Sequence, residues 1–154
     1  SFNYFWTLGY VAAIKAAQKG LKTICVEKRG TLGGTCLNVG CIPSKALLNA
    51  THKYVEAKEH FDEIGIECKE VDINFEKLMG SKDKAVSGLT SGIEFLFKKN
   101  KVDYAKGWGK FSGPNSITVD NNDGTTSEFS VKNTIIATGS EPSSLPAGML
   151  DIDE

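Results

Sequence analysis

Leu21-Lys22-Thr23-Ile24-Cys25-Val26-Glu27 is rich in Thr, Ile and Val and stops on a carboxylate. It is followed at once by a turn and then by Gly33-Gly34-Thr35-Cys36-Leu37-Asn38-Val39-Gly40-Cys41-Ile42-Pro43-Ser44-Lys45. The first run has the composition and length of a strand. The second holds two cysteines separated by four residues, behind paired glycines and ahead of a Pro and a Lys. Cysteines this close can close a small ring, and a small strained disulfide is easier to reduce than a structural one. A strand that ends in an acid and opens into a glycine turn is the layout of a nucleotide-binding unit.

Working outward, residues 9–20 read as a helix with small and apolar Val11, Ala12, Ile14, Ala16 and Ala17, stopped by Gly20. Residues 30–34 are a loop. Thr35 is placed to cap a helix from Cys36 to about Ala57, distorted near Gly40 and Pro43. Residues 75–99 read as a second long helix. Phe75, Leu78, Met79, Val86, Leu89, Ile93, Leu96 and Phe97 recur at helical intervals and predict a core stripe. Gly88 and Gly92 weaken that helix by about 1 kcal/mol each, which close packing against a neighbour would explain. From Val102 the texture changes to short strands, expected at 102–106, 116–119, 129–131 and 134–137. Asn121-Asn122-Asp123-Gly124 is a hairpin turn signal. Residues 141–154 read as a loop-like tail. The order of elements predicts an α/β fold: a doubly wound, mostly parallel, Rossmann-like sheet with a helical insertion and an antiparallel β-meander.

The 154 residues, 40% apolar with a net charge of −1, make one domain with a buried core. No basic face is implied, so nucleic acid is not an expected partner, and no apolar run reaches membrane-spanning length. The aromatic first eight residues lack the basic leader of a signal peptide. Cys25 reads as a buried small hydrophobe and Cys68 as incidental. Inert thiols and half a zinc site are the bland readings of Cys36 and Cys41. Zinc would want a second cysteine pair, which the chain lacks, so no metal is expected. His52 and His60 read as surface residues.

The two opening runs together point to a flavin facing a redox-active disulfide. Here the chain resembles the flavoprotein disulfide reductase family, over roughly residues 9–154. Leu37, Ile42-Pro43-Ser44-Lys45 and Ala46-Leu47-Leu48 resemble its dihydrolipoamide dehydrogenase branch. The resemblance implies that electrons pass from dihydrolipoamide to a disulfide, then to FAD, then to NAD⁺. Cys36 maps to the interchange thiol, Cys41 to the flavin-proximal thiol and Lys45 to the lysine beside the flavin. Glu27 takes the ribose-binding position. The stretch through Lys28, Arg29, Gly33, Gly34, Thr35 and Cys36 lines the cofactor. Gly107, in Gly107-Trp108-Gly109, meets the adenine region through its backbone, and Ala137-Thr138-Gly139-Ser140 resembles a second FAD-contacting turn. The implied partners are the lipoyl domains of 2-oxo acid dehydrogenase complexes and, in the full-length protein, a second copy. The implied compartment is the mitochondrial matrix, or the cytoplasm if the source is bacterial.

The start of the chain departs from the family. Its Gly-x-Gly-x-x-Gly loop falls in register on Tyr4, Trp6 and Gly9, so only Gly9 remains, and there is hardly room for a first strand. Trp6 stands where backbone should approach the pyrophosphate. An altered or truncated end and a loss of ordinary FAD binding both fit; the downstream features favour the first. NAD and dimerisation domains are absent, so the chain alone is not expected to turn over NAD⁺. Two other readings stay open: a non-enzymatic subunit that keeps the fold, and a reductase of another disulfide, such as a glutathione reductase-like enzyme.

Overall fold

The computed structural model describes residues 2–3 and 7–139. A short strand β1 (Phe2–Asn3) leads to helix α1 (Thr7–Gln18), strand β2 (Ile24–Glu27), the short helix α2 (Gly34–Asn38) and helix α3 (Cys41–Val55). A π-helical turn (Glu56–His60) continues α3, and the long helix α4 (Phe75–Asn100) follows. Strands β3 (Asp103–Gly113), β4 (Ser116–Asn121), β5 (Thr126–Ser130) and β6 (Ile135–Ile136) complete the order. One six-stranded sheet runs β5-β4-β3-β2-β1-β6. The β6-β1-β2-β3 part is parallel, and β3-β4-β5 is an antiparallel meander. The α/β architecture with a meander is therefore the one the sequence predicts. A first strand does exist: Phe2 and Asn3 pair with Cys25 and Val26 on one side and with Ile135 and Ile136 on the other.

Two cores flank the sheet, because alternate residues of a strand face opposite sides. Cys25 joins Ala13, Leu32, Ile93, Phe97 and Val102 on the helix side. Val26 joins Ala105, Ile117 and Val119 under the meander. Phe97, Leu32, Ile117, Val26 and Val119 are essentially sealed from solvent, which contributes roughly 1.5–3 kcal/mol for each such side chain. Cys25 is buried as predicted, and burial pushes its thiol up to about 12.

Several local expectations are corrected. The predicted stripe of α4 is a core face only over its last turns. Ile93 and Phe97 are buried and Leu78, Met79 and Val86 are half-buried, but Phe75, Leu89 and Leu96 are exposed, because α3 packs on α4 and covers only part of that face. Close packing does not account for Gly88 and Gly92, since a Cβ at either would meet open space. Thr35 is not a cap. Helix α2 starts two residues earlier, at Gly34, with Gly33 as its N-cap and no side-chain cap. Pro43 distorts nothing, because it is the third residue of α3, where a missing N–H has no helical partner to lose. Strand β2 is shorter than 21–27, with Leu21 exposed ahead of it. Strand β3 does not stop at Lys106. It pairs with β2 through Lys106, then switches partner and runs with β4 from Gly107. Strand β5 starts earlier than 129, because polar Thr126 and Ser127 belong to the ladder opposite Asp120 and Val119. The hairpin turn stands where it was predicted, with the Gly124 N–H donating to the Asn121 carbonyl.

Candidate functional site

Parallel strands β1, β2, β6 and the first half of β3 all end at one edge of the sheet, where open α/β sheets bind ligands. Glu27 ends β2 at that edge. It is not a surface glutamate, being 5% exposed, and its Oε1 accepts the Arg29 N–H at 2.8 Å. Lys28 and Arg29 follow it, both exposed. Gly33 and Gly34 then take φ of +109° and +63° in succession. Side chains rarely adopt this geometry, and a Cβ on Gly33 would lie 2.7 Å from Leu37. The two glycines leave bare, buried backbone at the start of α2. Tyr104, paired with Cys25 across β2 and β3, has a buried hydroxyl with no hydrogen-bond partner among the described residues. Burial, then the Glu27 and Glu94 carboxylates, hold that phenol well above its usual range. A buried acid, a bare glycine backbone and an unpaired phenol at the carboxyl edge fit the adenosine and phosphate end of a dinucleotide.

Cys36 lies inside α2, and Cys41 is the first residue of α3. The chain breaks between these helices at Val39 and Gly40, so the two thiols meet instead of lying on successive turns of one helix. Both are free thiols, Cys36 half-buried and Cys41 exposed, with a hydrogen bond between their side chains. That bond is the main cause that raises the Cys36 thiol above its ordinary value; the nearby Lys45 ammonium pulls the other way. Lys45 is exposed one turn after Cys41. The break has a cause in the sequence. A Cβ on Gly40 would lie 2.9 Å from the Thr35 carbonyl oxygen and 3.4 Å from the Cys36 Cα.

The structure thus brings Cys36, Cys41 and Lys45 together, at one end of the loop that begins at Glu27. Gly9 is buried in α1, and Thr35 is exposed at the start of α2. Ala137, Thr138 and Gly139 follow β6 at the same sheet edge, with Gly139 at φ +76°. Ser140 and the phosphate-loop positions Tyr4 and Trp6 lie outside the described residues. Gly107 is buried in the sheet, and a Cβ there would strike the backbone of Asp120 and Asn121. His52 and His60 are exposed and sit 3.5 Å from Glu56 and 3.8 Å from Glu63, away from the thiols on the far part of the α3 segment.

Two residues of the site carried no functional signal in the sequence. Asn122, in the hairpin turn, donates from Nδ2 to the Lys28 carbonyl at 3.0 Å and from its backbone N–H to the Lys106 carbonyl at 2.9 Å. It holds the start of the loop to the meander, and the Lys28 ammonium sits 4.3 Å from the centre of the Trp108 ring. Asn38 lies between the cysteines and binds the loop with three side-chain hydrogen bonds. A turn motif accounts for the first residue and a helix end for the second, so neither stood out.

Residues 9–151 match the pyridine nucleotide-disulphide oxidoreductase family. The chain is similar to a leghemoglobin reductase of Vigna unguiculata, 60% identical over 93% of this chain and 27% of that protein. It is equally similar to two mitochondrial dihydrolipoyl dehydrogenases. That of Dictyostelium discoideum is 60% identical over 95% of this chain and 30% of its own length. That of Pisum sativum is 60% identical over 93% of this chain and 28% of its own length. The chain therefore spans less than a third of the length of these relatives.

Proposed function

This chain belongs to the pyridine nucleotide-disulphide oxidoreductase family, and from that premise we propose that it is the dithiol-bearing FAD domain of a dihydrolipoamide dehydrogenase. The observation that carries the reading is the meeting of Cys36 and Cys41 beside Lys45, at the end of a loop that starts on a buried Glu27. The complete enzyme oxidises dihydrolipoamide, with NAD⁺ as final acceptor.

Cys36 is the interchange thiol. In the oxidised pair a substrate thiolate attacks the Cys36 Sγ, the Cys36–Cys41 bond breaks and Cys41 leaves as a thiolate. The second substrate thiol then displaces Cys36, so the substrate leaves as a disulfide and the protein keeps two thiols. This exchange needs a thiolate, and Lys45 supplies the positive charge that favours one. FAD, when bound, supplies the two-electron acceptor for the dithiol. Glu27 would hold the ribose hydroxyls and the Gly33-Gly34 backbone the phosphates. Lys28, Arg29, Thr35, Gly107 and the turn at Ala137-Thr138-Gly139-Ser140 would line the rest. Neither His52 nor His60 reaches the thiols. The base is the histidine that the family draws from the partner subunit of a homodimer. The lipoyl domain of a 2-oxo acid dehydrogenase complex presents the substrate in the mitochondrial matrix; two relatives are named as mitochondrial.

The test is the visible spectrum of the purified protein during FAD titration and stepwise reduction. Bound flavin with a long-wavelength band that disappears in Cys41→Ser supports the reading. A protein that takes up no flavin refutes it and favours a non-enzymatic subunit with the same fold. In the intact enzyme, turnover of glutathione disulfide but not of lipoamide would assign a different disulfide substrate.

A further inference from the structure

Asn38 is the last residue of α2 and lies inside the ring that Cys36 and Cys41 would close. Its amide makes three hydrogen bonds to one short loop. Nδ2 donates to the Gly34 carbonyl at 2.8 Å and to the Leu32 carbonyl at 3.2 Å, and Oδ1 accepts from the Thr31 hydroxyl at 2.7 Å. The loop is a firm base: Leu32 is 2% exposed in the helix-side core, and the paired glycines fix the turn after it. Immediately beyond Asn38 the chain doubles back. The Val39 N–H donates to the Thr35 carbonyl at 3.0 Å, and Gly40 passes against the Cys36 backbone. The separation of the two sulfurs therefore depends on how the end of α2 is seated on residues 31–34.

We infer that Asn38 is the positioning residue that sets the dithiol–disulfide equilibrium of Cys36 and Cys41. The inference rests on reading the two as a redox pair, and adds what tunes it. Ring closure joins the two sulfurs and passes two electrons and two protons to an oxidant; with oxidised dithiothreitol the product is the reduced dithiol. Thiols held in place close more readily than thiols on a loose segment. Freeing the end of α2 therefore shifts the equilibrium towards the open dithiol.

The experiment equilibrates the intact protein in a series of dithiothreitol redox ratios, traps free thiols by alkylation and reads residues 36 and 41 by peptide mass mapping. Asn38→Ala should lower the closure constant about tenfold, a potential about 30 mV less negative. Thr31→Val, which removes one of the three bonds from the exposed side of the loop, should lower it about threefold. If Asn38→Ala does not fold, Thr31→Val decides alone. A closure constant within twofold of the parent in the folded variants overturns the inference and leaves Asn38 a structural residue. A parent protein that closes no 36–41 bond at any ratio overturns the redox-pair reading itself, and the inference with it.

Discussion

Gly107→Ala separates two explanations of one glycine. The family resemblance reserves Gly107 for the adenine, whereas the structure shows a need that precedes any ligand. A Cβ at this position would lie 2.3 Å from the Asp120 carbonyl oxygen, 2.9 Å from its carbon and 2.8 Å from the Asn121 Cα. All three are backbone atoms of β4, so no rotamer relieves the clash. Ordinary contact begins near 3.4 Å, and β4 must retreat by about 1 Å at the point where β3 changes partner. Overpacking of this kind costs about 1–3 kcal/mol. One weakened ladder hydrogen bond adds about 1 kcal/mol. The sum, about 2–4 kcal/mol, lowers the melting temperature by roughly 5–15 °C for a chain of this size. Thermal and urea unfolding of the flavin-free protein measure it directly. FAD affinity should fall as well, because Asn122 moves with β4. A variant that melts within about 1 °C of the parent and loses only FAD affinity would refute the steric reasoning.

Cys41→Ala removes the hydrogen bond that is the main cause raising the Cys36 thiol and leaves the Lys45 charge in place. The pH midpoint for alkylation of Cys36 should therefore move down, read by rate against pH. Cys25 should resist alkylation in the folded protein at pH 9, where exposed Cys68 reacts. With a folded value raised from 9.0 to about 12, Cys25 stabilises the fold fully below pH 9. That contribution is lost as pH rises towards 12, by up to about 1.4 kcal/mol per pH unit. Cys25→Ala should flatten this part of the urea-midpoint profile. Phe97→Ala, deleting a ring that is 2% exposed and meets Tyr104 edge-on at 5.9 Å, should cost about 3–5 kcal/mol in urea unfolding.

What the sequence made legible follows from how local each signal is. Helix α4 was placed within one residue at both ends, because its periodicity spans many turns; in the structure Asn74 caps its start, accepting the Lys77 N–H at 2.9 Å. Which turns of α4 are buried was not legible, since periodicity gives a face and not the length of the element that covers it. Cys36, Cys41 and Lys45, singled out by a chain-local pattern, are brought together in the structure. The second half of β3 was missed because Gly107, Gly109 and Gly113 interrupt the apolar pattern that marks a strand, although β4 follows it through a short turn. Strand β5 was misplaced because apolar residues are what mark a strand in a sequence, while four of its five residues are polar.

The two halves of the site are held by different means, and this explains the place of the meander in a nucleotide-binding unit. The thiol end is seated by its neighbours: Asn38 on residues 31–34, and Gly40 against Cys36. All of those contacts lie within ten residues of sequence, so the dithiol can take its geometry from the loop and two helix ends. The Glu27 end has one local bond, from the Arg29 N–H to the Glu27 carboxylate, and two long-range anchors. Its following residue is fixed by Asn122, 94 positions away, and by a cation–π contact to Trp108. Both anchors belong to the meander, and both depend on β4 lying close enough to β3 for Asn122 to bond Lys28 and Lys106 at once. Gly107 permits that approach. The antiparallel excursion thus acts on the same loop as the cysteine ring, from the opposite end, and joins a short-range redox element to a long-range nucleotide cradle.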